Sequence, residues 1–309
     1  MKPLSASFPT IKRNHTSNNR DPFLPGRAQA TGSSSSIGAI LVGTGRLSEE
    51  NVDRILGLQV EQGKPFGDIA IGLGLLTEDD VRFALSRQFN NVYLPAGDTS
   101  LNNHLVAAYK PFSPTVEKLR GLRSQLMLRW FDADAEQNIL AIVSPGAGEG
   151  RSFIAANLAI VFSQLGKRTL LVDSDLRAPR QHELFKLGNN AGLSSLLAGR
   201  AGAGGIARIP SLPGLSVLPA GATPPNPQEL IGRSAFAELL QSLAGEYDVV
   251  IVDTPAASEY PEAQVIATHA SAALIVARKD RTSMPEAISL TRSLQQTGAI
   301  PVGSVLNDF

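Results

Sequence analysis

Two apolar runs of this sequence end in acidic residues suited to a divalent cation. "LLVDSDLR" carries Asp173 and Asp175, with Arg177 just beyond, and "YDVVIVDTP" carries Asp253. Carboxylates at strand C-termini are costly as core. They suit Mg2+ in the crevice where open α/β sheets take ligands. An upstream stretch would supply the anion accompanying such an ion. "SPGAGEGRSF", Ser144 to Phe153, approaches the phosphate-loop pattern G-x-x-x-x-G-K-S/T. Gly150 and Ser152 keep the pattern, while Pro145 stands at the first glycine and Arg151 at the lysine. The amides of Gly148, Glu149, Gly150, Arg151 and Ser152 are expected to turn inward around phosphate, helped by a helix N-terminus. Arginine keeps the charge but is longer and planar, so it either clamps two phosphate oxygens or slows transfer. Taken singly, each carboxylate is also explained as a helix cap and the loop as a turn. The three motifs in this order point to one nucleotide site.

The surrounding pattern supplies the elements these residues need. Strand-like runs are Ile139–Val143, Thr169–Asp173, Leu215–Pro219, Asp248–Asp253, Ala272–Ala277 and Val302–Asn307. Helical segments separate most of them, including "SFIAANLAIVFSQLG" after the loop and "TVEKLRGLRSQLMLRW" before the first strand. Buried β-branched runs alternating with helices predict an α/β fold of the P-loop NTPase kind, a mostly parallel sheet flanked by helices.

The 309 residues carry 28 basic and 28 acidic side chains, a balance that argues against a nucleic-acid partner. Cysteine is absent, which excludes disulfides and thiolate metal sites, and the four histidines are scattered. Neither a secretory h-region nor an apolar run near the roughly 20 residues of a membrane span is present. A cytoplasmic location is expected, with any inner-membrane association made through a partner.

Residues 1–35, rich in Ser, Asn, Pro and Gly, read as a disordered arm. Residues 36–95 contain a tandem repeat. "IGAILVGTGRLSEENVDRILGLQ" is echoed by "FGDIAIGLGLLTEDDVRFALSRQ", and Gly38 aligns with Gly67, an offset of 67 − 38 = 29 residues. Each copy reads as helix, glycine turn, helix, with Ser48 and Thr77 as N-caps. The two copies together predict a small N-terminal helical repeat domain. Residues 96–112 read as a linker and 113–309 as the nucleotide domain.

The repeat resembles the N-terminal domain of MshE-type secretion and pilus ATPases, some of which bind cyclic di-GMP through such tandem copies. That resemblance implies a cyclic di-GMP site in which the glycines admit phosphate. The positions usually basic hold Ser36 and Pro65 here, so packing or docking is the alternative role.

The three nucleotide motifs, running on through "LLVDSDLRAPRQHELF", resemble those of bacterial tyrosine kinases (BY-kinases). In that family they are Walker A, A′ and B. Upstream, Glu117-x-x-Arg120-x-x-Arg123 fits the family's oligomerisation motif. The arginine in Walker A and the ending "VGSVLNDF" resemble the EpsG-type chain-length-determinant kinases of exopolysaccharide clusters. The resemblance implies ATP and Mg2+, with Ser152, Asp175 and Asp253 at the metal. Asp175 would activate the attacking hydroxyl, aided by Asp173, and Arg151 would serve the transferred charge. Gly148 to Phe153 and Arg177 would hold nucleotide. It further implies a homo-oligomer working with an inner-membrane polysaccharide co-polymerase. BY-kinases usually carry a tyrosine-rich tail, and here the sequence stops at Asp308-Phe309. Tyr109, beside Pro111, is then the expected substitute acceptor, or else an ordinary loop aromatic. ParA/MinD-type partitioning ATPases share the scaffold but carry a lysine near the loop start, where Gly146 stands here. A nucleotide-binding adaptor without transfer is the remaining alternative.

Overall fold

The computed structural model describes residues 36–88, 93–95, 97–131, 138–200 and 205–309. The expected arm, 1–35, lies outside the described residues. Seven strands form one sheet: β1 Ile139–Val143, β2 Thr169–Asp173, β3 Ala207–Arg208, β4 Leu215–Leu218, β5 Val249–Asp253, β6 Ala272–Arg278 and β7 Ile300–Asn307. Their order is β3-β4-β2-β5-β1-β6-β7, and every pair is parallel except β3 with β4. β1, β2, β4 and β5 are buried along their whole length. That is what an unbroken β-branched run covered on both faces should do.

Thirteen α-helices are described. In the N-terminal unit they are α1 Ile37–Gly43, α2 Glu49–Gln62, α3 Phe66–Gly72 and α4 Glu78–Gln88. Then follow α5 Val106–Tyr109, α6 Pro114–Leu126, α7 Arg151–Gln164, α8 Gln181–Leu184 and α9 Leu193–Leu197. The last are α10 Pro227–Ile231, α11 Ser234–Glu246, α12 Glu262–Ala270 and α13 Met284–Gln296. The helix expected before β1 ends at Leu126 and continues as a π-helical turn, Met127–Phe131. Trp130 in that turn is buried and donates to the Ile139 carbonyl, pinning the turn to β1.

One face of the sheet packs Leu140, Ile142, Leu171 and Ile251 against α7 and α6. The other packs Val143, Val172 and Val252 against α11, α12 and α13. The segment expected as a linker, 96–112, is instead part of the first core. Leu101, Leu105, Ala107 and Ala108 are buried in it. Asn157 of α7 explains why: its Oδ1 accepts from the Ala107 amide at 2.9 Å and its amide donates to the His104 carbonyl. Gln164 adds a bond to the Ala107 carbonyl.

The N-terminal unit has its own core of Leu41, Ile55, Phe66, Ile69 and Ala84. α1 packs on α4 and α2 on α3, so the two copies interlock rather than stand side by side. Ser48 caps α2, and Thr77 and Asp80 exchange bonds at the start of α4. The repeat glycines serve this packing. A Cβ at Gly38 would sit 2.9 Å from Val52 Cγ1, and one at Gly67 only 2.6 Å from Val81 Cγ1. At these two positions the space expected for phosphate is filled by valine. No helix among the described residues is long and apolar enough to cross a membrane.

Candidate nucleotide site

Parallel pairing of β2 with β5 places Asp173 directly beside Asp253 at the C-terminal edge of the sheet. β1 lies on the other side of β5, and from its end Ser144 to Gly150 turn into α7. The loop needs glycine where it reverses. Gly148 and Gly150 take φ of +71° and +92°. A Cβ at Gly150 would come within 2.0 Å of Asn307 Nδ2. Only a residue without a side chain fits there.

Arg151, in the lysine slot, is buried and turned back into the chain. Its Nε donates to the Thr254 carbonyl and its Nη1 to Ser144 Oγ. Its guanidinium lies 3.5 Å from Asp175 Oδ2 and 3.9 Å from Asp253 Oδ1. Glu149 also turns inward. Its carboxylate accepts from the Gly146 amide and from Thr282 Oγ1, bracing the loop against the segment after β6.

The carboxylates divide by environment. Asp173 is fully buried and accepts from the amides of Asp175, Arg180 and Gln181. Burial, with the neighbouring Asp253 charge, holds it well above the usual carboxylate range. It organises the Asp175–Gln181 turn and does not line the cavity. Asp173 thus stands beside Asp253 and behind Asp175, and neither of the two strand-end carboxyls is among the cavity's lining residues. Asp175 sits in that turn, its Oδ1 taking the Arg177 and Ala178 amides. Burial also raises Asp253, against the opposing charge of Arg151.

Loop, turn and strand ends enclose a cavity of about 490 Å³. It is lined by Gly148, Gly150, Arg151, Ser152 and Phe153 from the loop and helix, by Asp175, Arg177 and Arg180, and by Tyr260 and Phe309. Arg278 donates to the Gly148 carbonyl and lies 4.2 Å over the Phe309 ring. Arginines on several sides and a helix N-terminus at the loop give the field a polyphosphate needs.

The residues present fit Mg2+. Asp253 Oδ1 is buried without a hydrogen-bond partner among the described residues, and Ser152 is among the neighbours that oppose the rise of the Asp253 carboxyl. Among the described residues no three metal-binding His, Cys, Asp or Glu side chains converge. Mg2+ is characteristically held by one or two carboxylates plus substrate phosphates and water.

The nucleotide-binding domain family described as CobQ/CobB/MinD/ParA matches residues 140–309. The putative tyrosine-protein kinase CapB of Staphylococcus aureus is 36% identical over 198 residues, covering 64% of this chain and 86% of CapB. The kinase domain of the Escherichia coli tyrosine kinase ETK superposes with a TM-score of 0.63 at 33% identity, over 66% of this chain and 79% of that one. The chain belongs to the bacterial tyrosine kinase family. Tyrosine-protein kinase wzc of Salmonella typhimurium is 33% identical over 207 residues, 67% of this chain but 28% of wzc. Against wzc, then, the chain spans only a little over a quarter of the relative's length. The MshE-type resemblance of the repeat gains no support from these matches.

Several residues that brace the candidate site escaped the sequence. Gln181 is buried and bridges the Ser152 carbonyl and Asp253 Oδ2, at 3.1 and 2.8 Å. Ser144 and Thr254 hold Arg151, and Glu262 holds Arg177 through bonds of 2.9 and 2.7 Å. The one available signal was the polar "PRQHE" directly after the Asp-x-Asp pair. Tyr109 proves structural: its hydroxyl donates to the Leu101 carbonyl and accepts from the Leu101 amide. On α6, Glu117 pairs with Arg120, whereas Arg123 turns inward to the Val161 carbonyl at 2.7 Å.

Proposed function

We propose that this chain is a Mg-ATP-dependent protein-tyrosine kinase that regulates exopolysaccharide chain length or export. The observation that carries this reading is the cavity itself. A phosphate loop, Asp175 and three arginines face one space, above carboxylates set side by side by strand register.

Phosphoryl transfer asks mainly for positioning and charge compensation. The loop amides and α7 N-terminus hold the phosphates. Ser152, Asp175 and Asp253 would hold Mg2+, and the ion would supply charge neutralisation on the terminal phosphates. Asp175 accepts the proton of the attacking tyrosine hydroxyl. Arg151, fixed by Ser144 and Thr254, offsets Asp175 and Asp253 and leaves part of its guanidinium toward the phosphates.

The chain acts on the cytoplasmic side, held to the inner membrane by a polysaccharide co-polymerase. Copies associate through the α6 face bearing Glu117 and Arg120. Cyclic di-GMP forms no part of the proposal, since Val52 and Val81 cover Gly38 and Gly67. The engagement of Arg151 within its own chain favours one second reading, an adaptor that binds nucleotide without transfer. Producing the chain with its membrane co-polymerase, as wild type or Asp175→Ala, tests the proposal through the size distribution of the polymer. The kinase reading predicts an altered distribution for Asp175→Ala. Identical distributions would refute it.

A further inference from the structure

The sequence contains four tyrosines, and they occupy very different places. Tyr93 lies in an edge-on stack between Phe83 and Phe112, with ring centroids 5.9 and 6.1 Å away. Tyr109 has its hydroxyl committed in both senses to Leu101. Tyr247 caps α11 at the N-terminal end of β5, the far edge of the sheet from Asp253. At about 3.3 Å per residue, that is roughly 20 Å from the carboxylates.

Tyr260 alone among them lines the nucleotide cavity, together with Ser152, Arg151 and Asp175. It stands on the short turn between Asp253 and α12, its amide bonded to the Ala256 carbonyl at 3.2 Å. The Arg177 guanidinium lies 4.0 Å over its ring. Arg177 is fixed in turn by two bonds to one oxygen of Glu262, whose side chain is only 2% exposed. The ring is therefore held in a defined place by a cation, and that cation also faces the cavity. Among the described residues the Tyr260 hydroxyl has no hydrogen-bond partner in the chain.

The geometry points to Tyr260 as a phosphoacceptor served by its own chain, an inference that rests on the kinase reading above. The phenol oxygen attacks the γ-phosphorus of ATP. The bond from that phosphorus to the β–γ bridging oxygen breaks, and ADP leaves. The phenolic proton passes to Asp175, and the phosphotyrosine dianion forms beside Arg177 and Arg180, where charge-assisted bonds are strong. Transfer within one chain is unimolecular, so its rate is independent of protein concentration.

The full chain is incubated with Mg-ATP and its phosphopeptides are mapped, alongside a poly(Glu,Tyr) copolymer as external acceptor. Tyr260→Phe keeps the ring and its stack on Arg177, and its melting curve reports folding. Expected are phosphate on the Tyr260 peptide, at most one per chain at that position, and loss of that signal in Tyr260→Phe. The rate per molecule should hold over about a hundredfold dilution. A readout independent of transfer is nitration by tetranitromethane, from which Mg-AMPPNP should protect Tyr260. Labelled copolymer with unlabelled, unprotected Tyr260 would overturn this inference and leave the kinase reading standing. No label on either would overturn both. Label on Tyr260 that falls away on dilution would overturn transfer within the chain.

Discussion

Replacing Arg151 by methionine removes the cation while keeping much of the volume. Two bonds vanish, to the Thr254 carbonyl and to Ser144 Oγ, and Asp175 and Asp253 lose their nearest positive charge. Hydrogen bonds to charged groups contribute about 1.5–3 kcal/mol each. Breaking a buried ion pair from one side costs about 3–5 kcal/mol. These figures describe the same loss from two directions, so about 3–5 kcal/mol is the expectation, not their sum. For a domain of this size, each kcal/mol moves Tm by about 2–4 °C, which gives a fall of roughly 10 °C. The loss carries a pH signature. Burial raises Asp253 and Arg151 opposes that rise, so without Arg151 the folded-state value climbs further. A carboxylate raised on folding contributes stability in acid and loses it as pH rises through the folded value. The deficit of Arg151→Met should therefore be smallest in acid and grow toward neutral pH. Differential scanning calorimetry of both proteins across that range measures it. An unchanged Tm, or a deficit that does not grow with pH, would refute the role assigned to Arg151.

Other expectations follow from the same contacts. Gly67→Ala drives a Cβ into Val81 and should cost about 1–3 kcal/mol in the N-terminal unit, with Val81→Ala restoring much of it in chemical denaturation. Asp253→Asn should abolish the Mg2+-dependent part of ADP affinity in isothermal titration, while metal-free binding persists. Since Asp173 and Asp253 are both raised by burial, Mg-ADP affinity in the wild type should increase as pH rises, with proton release visible as a buffer-dependent heat. Arg123→Ala should lower the stability of the chain as well as any self-association, because its guanidinium holds the Val161 carbonyl from within. Sedimentation combined with thermal melting separates the two effects.

The strands were readable because burial on both faces of a parallel sheet leaves uninterrupted β-branched runs. β3, two residues long, carries no such pattern. Residues 96–112 look like a linker because their turn-forming residues hide Leu101 and Leu105, which are buried by contacts with α7 some fifty residues later. The acidic motifs revealed the site but not its division of labour. Asp173 and Asp175 are two residues apart, yet one lies beneath the cavity and the other lines it. Asp173 ends β2 and is covered by the amides of the turn that carries Asp175, a closure made by Arg180 and Gln181 seven and eight residues on. Arg151 shows the same limit. Its slot was evident, while its partner Thr254 is 103 residues away in sequence. In the repeat, the glycines were visible and the valines that need them were not.

The kinase assignment is tested most directly by incubating wild type and Asp175→Ala with Mg2+ and γ-labelled ATP, followed by phosphoamino-acid analysis. The wild type should accumulate phosphotyrosine, and Asp175→Ala should bind ATP yet form none. Phosphotyrosine in equal amounts on both proteins, or its absence from a wild type that binds ATP, would contradict the account.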